Sequence, residues 1–192
     1  MGIALSHPSL GSTSWFSAMD GNLDTLEEEF FARLNSDASN VTVTGTTSET
    51  ALQANATVPA NSLQAGSVLH HFAYGTVTIP ASSTPSATWR FRWGGTGGVL
   101  LTPGFVWNFS SDPNPYTLPW IAEYRLIPVS VGASGVFEVV GFMTMGTTFV
   151  TGTTTSTTGS IDTTADTVLG WTVQPSASGV SVTQRVTVLQ RG

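Results

Sequence analysis

Three features of this 192-residue chain predict a mainly β fold, an antiparallel β-sandwich or jelly roll of about eight strands behind one N-terminal α-helix. The first is the stretch Ala87–Trp93, in which Trp89, Phe91 and Trp93 alternate with Thr88, Arg90 and Arg92. Successive strand side chains point to opposite faces, so this is a half-buried strand with three rings on its core side. The second is the recurrence of that alternation in Phe105, Trp107 and Phe109, in Leu169, Trp171 and Val173, and in Val180, Val182, Val186 and Val188. Turn signals separate these runs at intervals of about 8–15 residues. Rings on a sheet face need an opposing layer, and no long amphipathic helix follows to supply it, so that layer is a second sheet. The third is that helical periodicity is confined to the N-terminal end.

There, residues 1–14 are small and polar, punctuated by Gly and Pro, and read as an extended arm. Phe16, Met19, Leu23, Leu26 and Phe30 are then spaced 3-4-3-4, a heptad seam that Leu34 continues. Asp20 or Asn22 suits the N-cap. Asp24, Glu27 and Glu28 sit where the helix dipole favours negative charge, and Arg33 where it favours positive. Gly21 makes an unbroken helix from residue 13 unfavourable. So short a helix needs a packing partner, either its own domain or sister copies in a parallel bundle, and Phe30 with Phe31 gives it a wide apolar face. Residues 35–40 form a polar linker. The chain thus divides into an arm with a helix (1–40) and a β domain (41–192).

Within the β domain, 41–44 and 50–58 read as strands. Ser67–Ile79 is a long strand whose apolar parity switches between Tyr74 and Val77, which predicts a β-bulge at Gly75. Gly94–Gly98 is a flexible turn and Asp112-Pro113-Asn114-Pro115 a rigid one. Trp120–Ile127 and Val136–Met145 are strands, the second apolar on both parities and so central or part of a subunit interface. The Thr-rich segment 147–167 holds one short strand within loops.

Composition narrows the function. Charged residues make up 9% of the chain, against roughly a quarter in an ordinary soluble domain, and Lys is absent. A surface of Thr, Ser, Asn and Gly has little self-repulsion, which suits a component of an assembly. A net charge of −6 and a pI near 4.7 argue against nucleic acid, which needs basic stripes. Without Cys there are neither disulfides nor thiolate metal sites. No apolar run approaches the roughly 20 residues of a membrane span, and no basic stretch precedes an apolar one to make a secretory signal.

Nothing in the residue spacing selects a catalytic site. His70 and His71 are adjacent in a strand and point to opposite faces, and His7 lies in the arm, so all three read as structural. Asp162 and Asp166 flank a Thr-rich loop and could contribute to a cation site, although no EF-hand spacing supports one. No two of Glu123, Glu138, Asp112, Asp162 and Asp166 are singled out as a glycosidase pair. Gly94–Gly98 lacks the Lys-Ser/Thr of a phosphate loop. Glu123 and Arg125 share one strand face, as do Arg90 and Arg92, and a cross-strand ion pair between the two sets is the plain expectation. No cofactor, metal or enzymatic activity is therefore expected.

The sequence Gly11-Ser12-Thr13-Ser14-Trp15, followed after a spacer by Asp20-Gly21-Asn22-Leu23-Asp24-Thr25-Leu26-Glu27, resembles a motif of tailed-bacteriophage appendage proteins. That motif runs Gly-x-Thr-x-Trp, a short spacer, then Asn-x-Asn-apolar-x-x-Leu/Ile-Glu. Here Asp20 replaces the first Asn and Leu23 an apolar position where Phe is frequent. The stretches Glu49–Ala65 and Ile161–Gln190 also resemble the small jelly rolls of phage fibre and decoration proteins. The resemblance implies a non-enzymatic virion protein, assembled in the host cytoplasm, whose N-terminal segment docks on another tail or capsid protein. It implies a homotrimer with a distal β knob, a short tail fibre somewhat more than a capsid decoration protein, and Trp15, Asn22, Leu23 and Leu26 as docking and trimerising positions. A host-surface glycan is a further partner it admits. The alternative is a soluble carbohydrate-binding β-sandwich module whose helix packs on its own sheet.

Overall fold

The computed structural model describes residues 33–52, 57–150 and 155–191. The arm and the helix positions Trp15, Phe16, Met19, Asn22, Leu23, Leu26 and Phe30 lie outside the described residues. Among those described there are fourteen strands and no α-helix. In chain order they are β1 (Arg33–Asp37), β2 (Val41–Val43), β3 (Thr50–Ala51), β4 (Thr57–Val58), β5 (Leu69–Ile79), β6 (Ser86–Trp93), β7 (Val99–Leu100), β8 (Phe105–Asn108), β9 (Tyr116–Ser130), β10 (Gly135–Met145), β11 (Thr148–Val150), β12 (Thr155–Ile161), β13 (Thr167–Pro175) and β14 (Ser181–Arg191).

They form two antiparallel sheets packed as a sandwich. The larger has the order β1-β14-β5-β9-β10-β11, with β2 also on β14 and β12 also on β10. The smaller has the order β3-β13-β6-β7, with β4 also on β13 and β8 also on β6. The chain alternates between them: β1 and β2 large, β3 and β4 small, β5 large, β6 to β8 small, β9 to β12 large, β13 small, β14 large. The strand count exceeds the expected eight chiefly because the outer positions are each filled by two short segments. Pro103 and Gly104 make one such break, between β7 and β8.

The core is built from alternate residues of both sheets. From β6 it takes Trp89, Phe91 and Trp93, exposed by 0%, 0% and 4%. Trp171 from β13 and Trp120 and Tyr124 from β9 are buried beside them. Phe91 stacks on Trp171 at 5.0 Å between ring centroids and meets His71 at 5.0 Å and Tyr124 at 5.4 Å.

Four expectations need correction. Arg33 and Leu34 do not extend a helix: residues 33–37 pair with Thr187–Gln190 of β14, so the sheet takes up part of the expected linker. A ladder partner satisfies the backbone there and overrides the local helical pattern. The Thr-rich segment carries two strands, β11 and β12, both on the otherwise open edge of β10, where β-branched Thr is well suited. The expected 50–58 strand is split into β3 and β4.

The fourth correction concerns Gly75. β5 alternates without interruption from Leu69 to Ile79, and its register with β9 is continuous. The irregularity lies in the partner β14, between Gln184 and Val186, opposite Gly75 and Tyr74. Gly75 is required for another reason: a Cβ there would stand 2.7 Å from the Trp120 ring and would collide with the Thr183 carbonyl oxygen. Gly141 in β10 does the same for Tyr124, whose ring would be 2.6 Å from an added Cβ. Two large rings of β9 therefore lie in slots left by glycines on the adjoining strands.

Phe91 lies at the centre of this packing. Phe91→Ala should cost about 3–5 kcal/mol in denaturant unfolding by leaving a cavity among rings that cannot collapse into it. A loss near zero would remove β6 from the core.

Candidate assembly surface

The two outer faces of the sandwich differ in chemistry. On the smaller sheet, Arg90 and Arg92 of β6 point away from the core and meet Glu49, in the segment before β3. Arg92 donates through Nε to Glu49 Oε1 at 2.5 Å and through its terminal nitrogen to Oε2 at 3.0 Å, and Arg90 reaches Oε2 at 3.2 Å. Thr172 Oγ1 donates to the same carboxylate, and Arg90 also reaches the Gln174 side chain at 3.1 Å. Burial pushes the Glu49 carboxyl up, but hydrogen bonds from Arg92 and Thr172 with the charges of Arg92 and Arg90 outweigh it and hold the group below its ordinary range. The expected pairing of Arg90 and Arg92 with Glu123 does not occur, because β6 and β9 belong to opposite sheets and face away from each other. Glu123 instead meets His70 at 3.0 Å and Arg125 at 3.8 Å.

On the larger sheet the outer face is apolar in its middle. Register places Val186, Tyr74 and Ile121 side by side across β14, β5 and β9. The next row runs Val188, Phe72, Glu123 and Phe142 into β10. The apolar members of these rows are half-buried, and Val140 beside them is 42% exposed. Hydroxyls bound the patch at one end, where Thr78 meets Thr117 and Thr42 meets Thr183, each at 2.9 Å. At the other end stand Gln190, His70 and Arg125 in one row. An apolar centre with a polar rim is the anatomy of a protein–protein interface.

The predicted sites distribute as follows. Trp89, Phe91 and Trp93 are core residues. His71 is fully buried and shares a hydrogen bond of 3.2 Å with Thr187 Oγ1, while His70 faces outward on the same strand. The Asp162 carboxylate accepts from the Thr164 amide and hydroxyl, and Asp166 accepts from the Ala60 amide at 2.8 Å. Both carboxylates thus shape turns. Among the described residues no three His, Cys, Asp or Glu side chains gather as a metal-ligand set, and no helix is long and apolar enough to cross a membrane. Sequence reasoning missed Glu49 as the partner of both arginines and Phe72 and Tyr74 as surface residues. The uninterrupted alternation of β5 carries the second signal, hidden by the assumed bulge.

No protein-family model matches this sequence, and no curated protein matches it. A solved structure, the CBM2 module of the Lactobacillus casei BL23 phage J-1 evolved Dit, is similar at 12% identity over 70% of this chain, with a TM-score of 0.29. The match spans 66% of that chain's length. So low a score leaves the surface of this chain to be read from its own residues.

His71 makes the fold sensitive to acid. Burial, with a smaller push from the neighbouring His70, lowers its pKa from 6.5 to about 3. In that interval the unfolded chain carries a proton that the fold excludes, so stability should fall as pH falls below 6.5. The slope is at most about 1.4 kcal/mol per pH unit. The Glu49 carboxylate adds to the loss below its ordinary value of 4.5, as protonation breaks its arginine contacts. Melting curves between pH 7 and 5 should show this decline in the wild type and a flatter profile in His71→Gln. Equal slopes in the two would mean that His71 is not held neutral.

Proposed function

We propose that this protein is a non-enzymatic structural protein of a tailed-phage virion, a jelly-roll body that assembles as a homotrimer and docks through its N-terminal segment. The observation that carries the reading is the apolar patch on the larger sheet, framed by polar rows and uncovered by any described element. β1, the first described strand, joins this same sheet at β14. The alternation of the strands between two sheets supports the jelly-roll form. The N-terminal motif supports a phage appendage, with a short tail fibre favoured over a decoration protein. A surface almost free of charge suits permanent contact between copies.

Two measurements test this. Light scattering on the full chain should give the mass of three copies, and Leu23→Asp with Leu26→Asp should give one, because buried unpaired charge is strongly disfavoured. Trimers that survive that pair but dissociate with Phe72→Ser and Ile121→Ser would place the contacts on the sheet instead. A monomeric wild type would overturn the trimer and favour the alternative, a soluble carbohydrate-binding module. For docking, removing residues 1–14 together with Trp15→Ala should leave the melting temperature unchanged while stopping incorporation into particles. Normal incorporation of that variant would shift attachment to the β body.

A further inference from the structure

Where β8 pairs with β6, residues of both sheets line a cleft of about 400 Å³. Its floor is apolar, formed by Leu118 of β9 and buried Met145 of β10, both on the inward faces of their strands. Its walls include the half-buried rings of Trp107 and Tyr116. The Tyr116 ring is fixed by its hydroxyl, which donates to the Ser110 carbonyl at 2.8 Å. At the rim stand the exposed Asn108 and Asp112. Asp112 spends Oδ1 on the Asn114 amide at 2.9 Å, which holds the turn rigid. Among the described residues nothing bonds to its Oδ2 or to the Asn108 side-chain amide.

We infer that this cleft binds a neutral pyranose sugar, at the scale of one or two rings. Three properties of the lining select that class. First, the half-buried aromatic faces offer an apolar surface to the C–H face of a sugar ring, while the rim supplies directional bonds. Second, Asp112 Oδ2 accepts from hydroxyls, and the Asn108 amide both donates and accepts, which matches groups that do the same. Third, among the described residues the lining contains no Arg, Lys or His, and its one charge is a carboxylate. Phosphorylated, sulfated and carboxylated ligands would meet like charge without a counterion, so the sugar is uncharged. The volume lies at the low end for small-ligand sites. A polyproline segment, the other ligand of aromatic grooves, needs a longer track. The inference stands apart from the virion reading, since a cleft of this kind serves a fibre and a soluble module alike.

The test is a titration of the full chain, followed by tryptophan fluorescence and calorimetry, with methyl glycosides of glucose, galactose, mannose, N-acetylglucosamine and rhamnose. At least one should bind saturably, and its glucuronide or sulfated counterpart should bind at least about tenfold more weakly, a difference of about 1.4 kcal/mol. Trp107→Ala should abolish binding. Because Trp107 also touches the core, Asp112→Asn and Asn108→Ala at exposed positions serve as the second pair, and each should weaken binding severalfold at an unchanged melting temperature. Absence of saturable binding to every glycoside overturns the inference. So does binding that all three variants leave intact, and so does a polyproline peptide that saturates the cleft when no sugar does. The trimer test reads mass alone, so either proposal can fail without the other.

Discussion

Two sheets of a sandwich keep a separation of about 10 Å only if side chains from both fill the gap. In this protein that filling is done largely by rings. Phe91 and Trp171 on the smaller sheet interlock with His71 and Tyr124 on the larger, and Phe105 closes the group at 6.0 Å from Tyr124 and 6.2 Å from Trp171. Trp120 and Tyr124 each lie over one adjoining strand and leave no room for a side chain at that point. Gly75 and Gly141 are the consequence, each standing next to an aromatic residue of β9 in the ladder. The glycines cost strand stability locally, and the buried ring area offsets that cost. Substitution at either glycine would force the adjacent ring out of its place, so the aromatic cluster dictates sequence well beyond its own members.

This explains what was legible in the sequence and what was not. Period-2 alternation is a local property, and it identified β6, β9, β10, β13 and β14 and the core role of Trp89, Phe91 and Trp93. A parity switch is also visible locally, but its cause is not. Gly75 is small because Trp120 is large, and Trp120 is brought in by a strand more than forty residues on. Reading the small residues as a fault in β5 therefore placed the bulge on the wrong strand. Ion pairing failed in the same way. Glu49 finds Arg90 and Arg92 only after two sheets have formed, and no spacing rule links it to them. Edge strands were the third gap. β1, β11 and β12 lack a clear alternation of their own, and the long strand each one pairs with defines it.

Charge placement is economical as well as sparse. Glu49 serves two arginines, Glu123 serves His70 and Arg125, and Arg191 donates to the Ser62 carbonyl at 2.6 Å. Arg185 occupies the irregular position of β14 and is exposed. Most of the described arginines are thus tied into particular contacts. Exposed pairs of this kind contribute little to stability individually, and the Glu49 cluster is the exception because it is half-buried and joined by several hydrogen bonds.

The resulting molecule is two-sided. On the smaller sheet, Arg90, Arg92, Thr172 and Gln174 gather around Glu49, while Leu100, Val106 and Val168 stand exposed on the same sheet. On the larger sheet, the central rows are mostly aromatic and β-branched with Glu123 among them, and rows rich in hydroxyls or charge stand at the two ends. Strand register alone produces this sorting, because a shift of one residue in β5 would bury Phe72 and Tyr74 and expose Ala73 and Gly75. The Trp120 slot at Gly75 prevents that shift, since only glycine fits under the indole. The ring that packs the core therefore also holds Phe72 and Tyr74 on the outside, which couples the stability of the sandwich to the chemistry of its outer face.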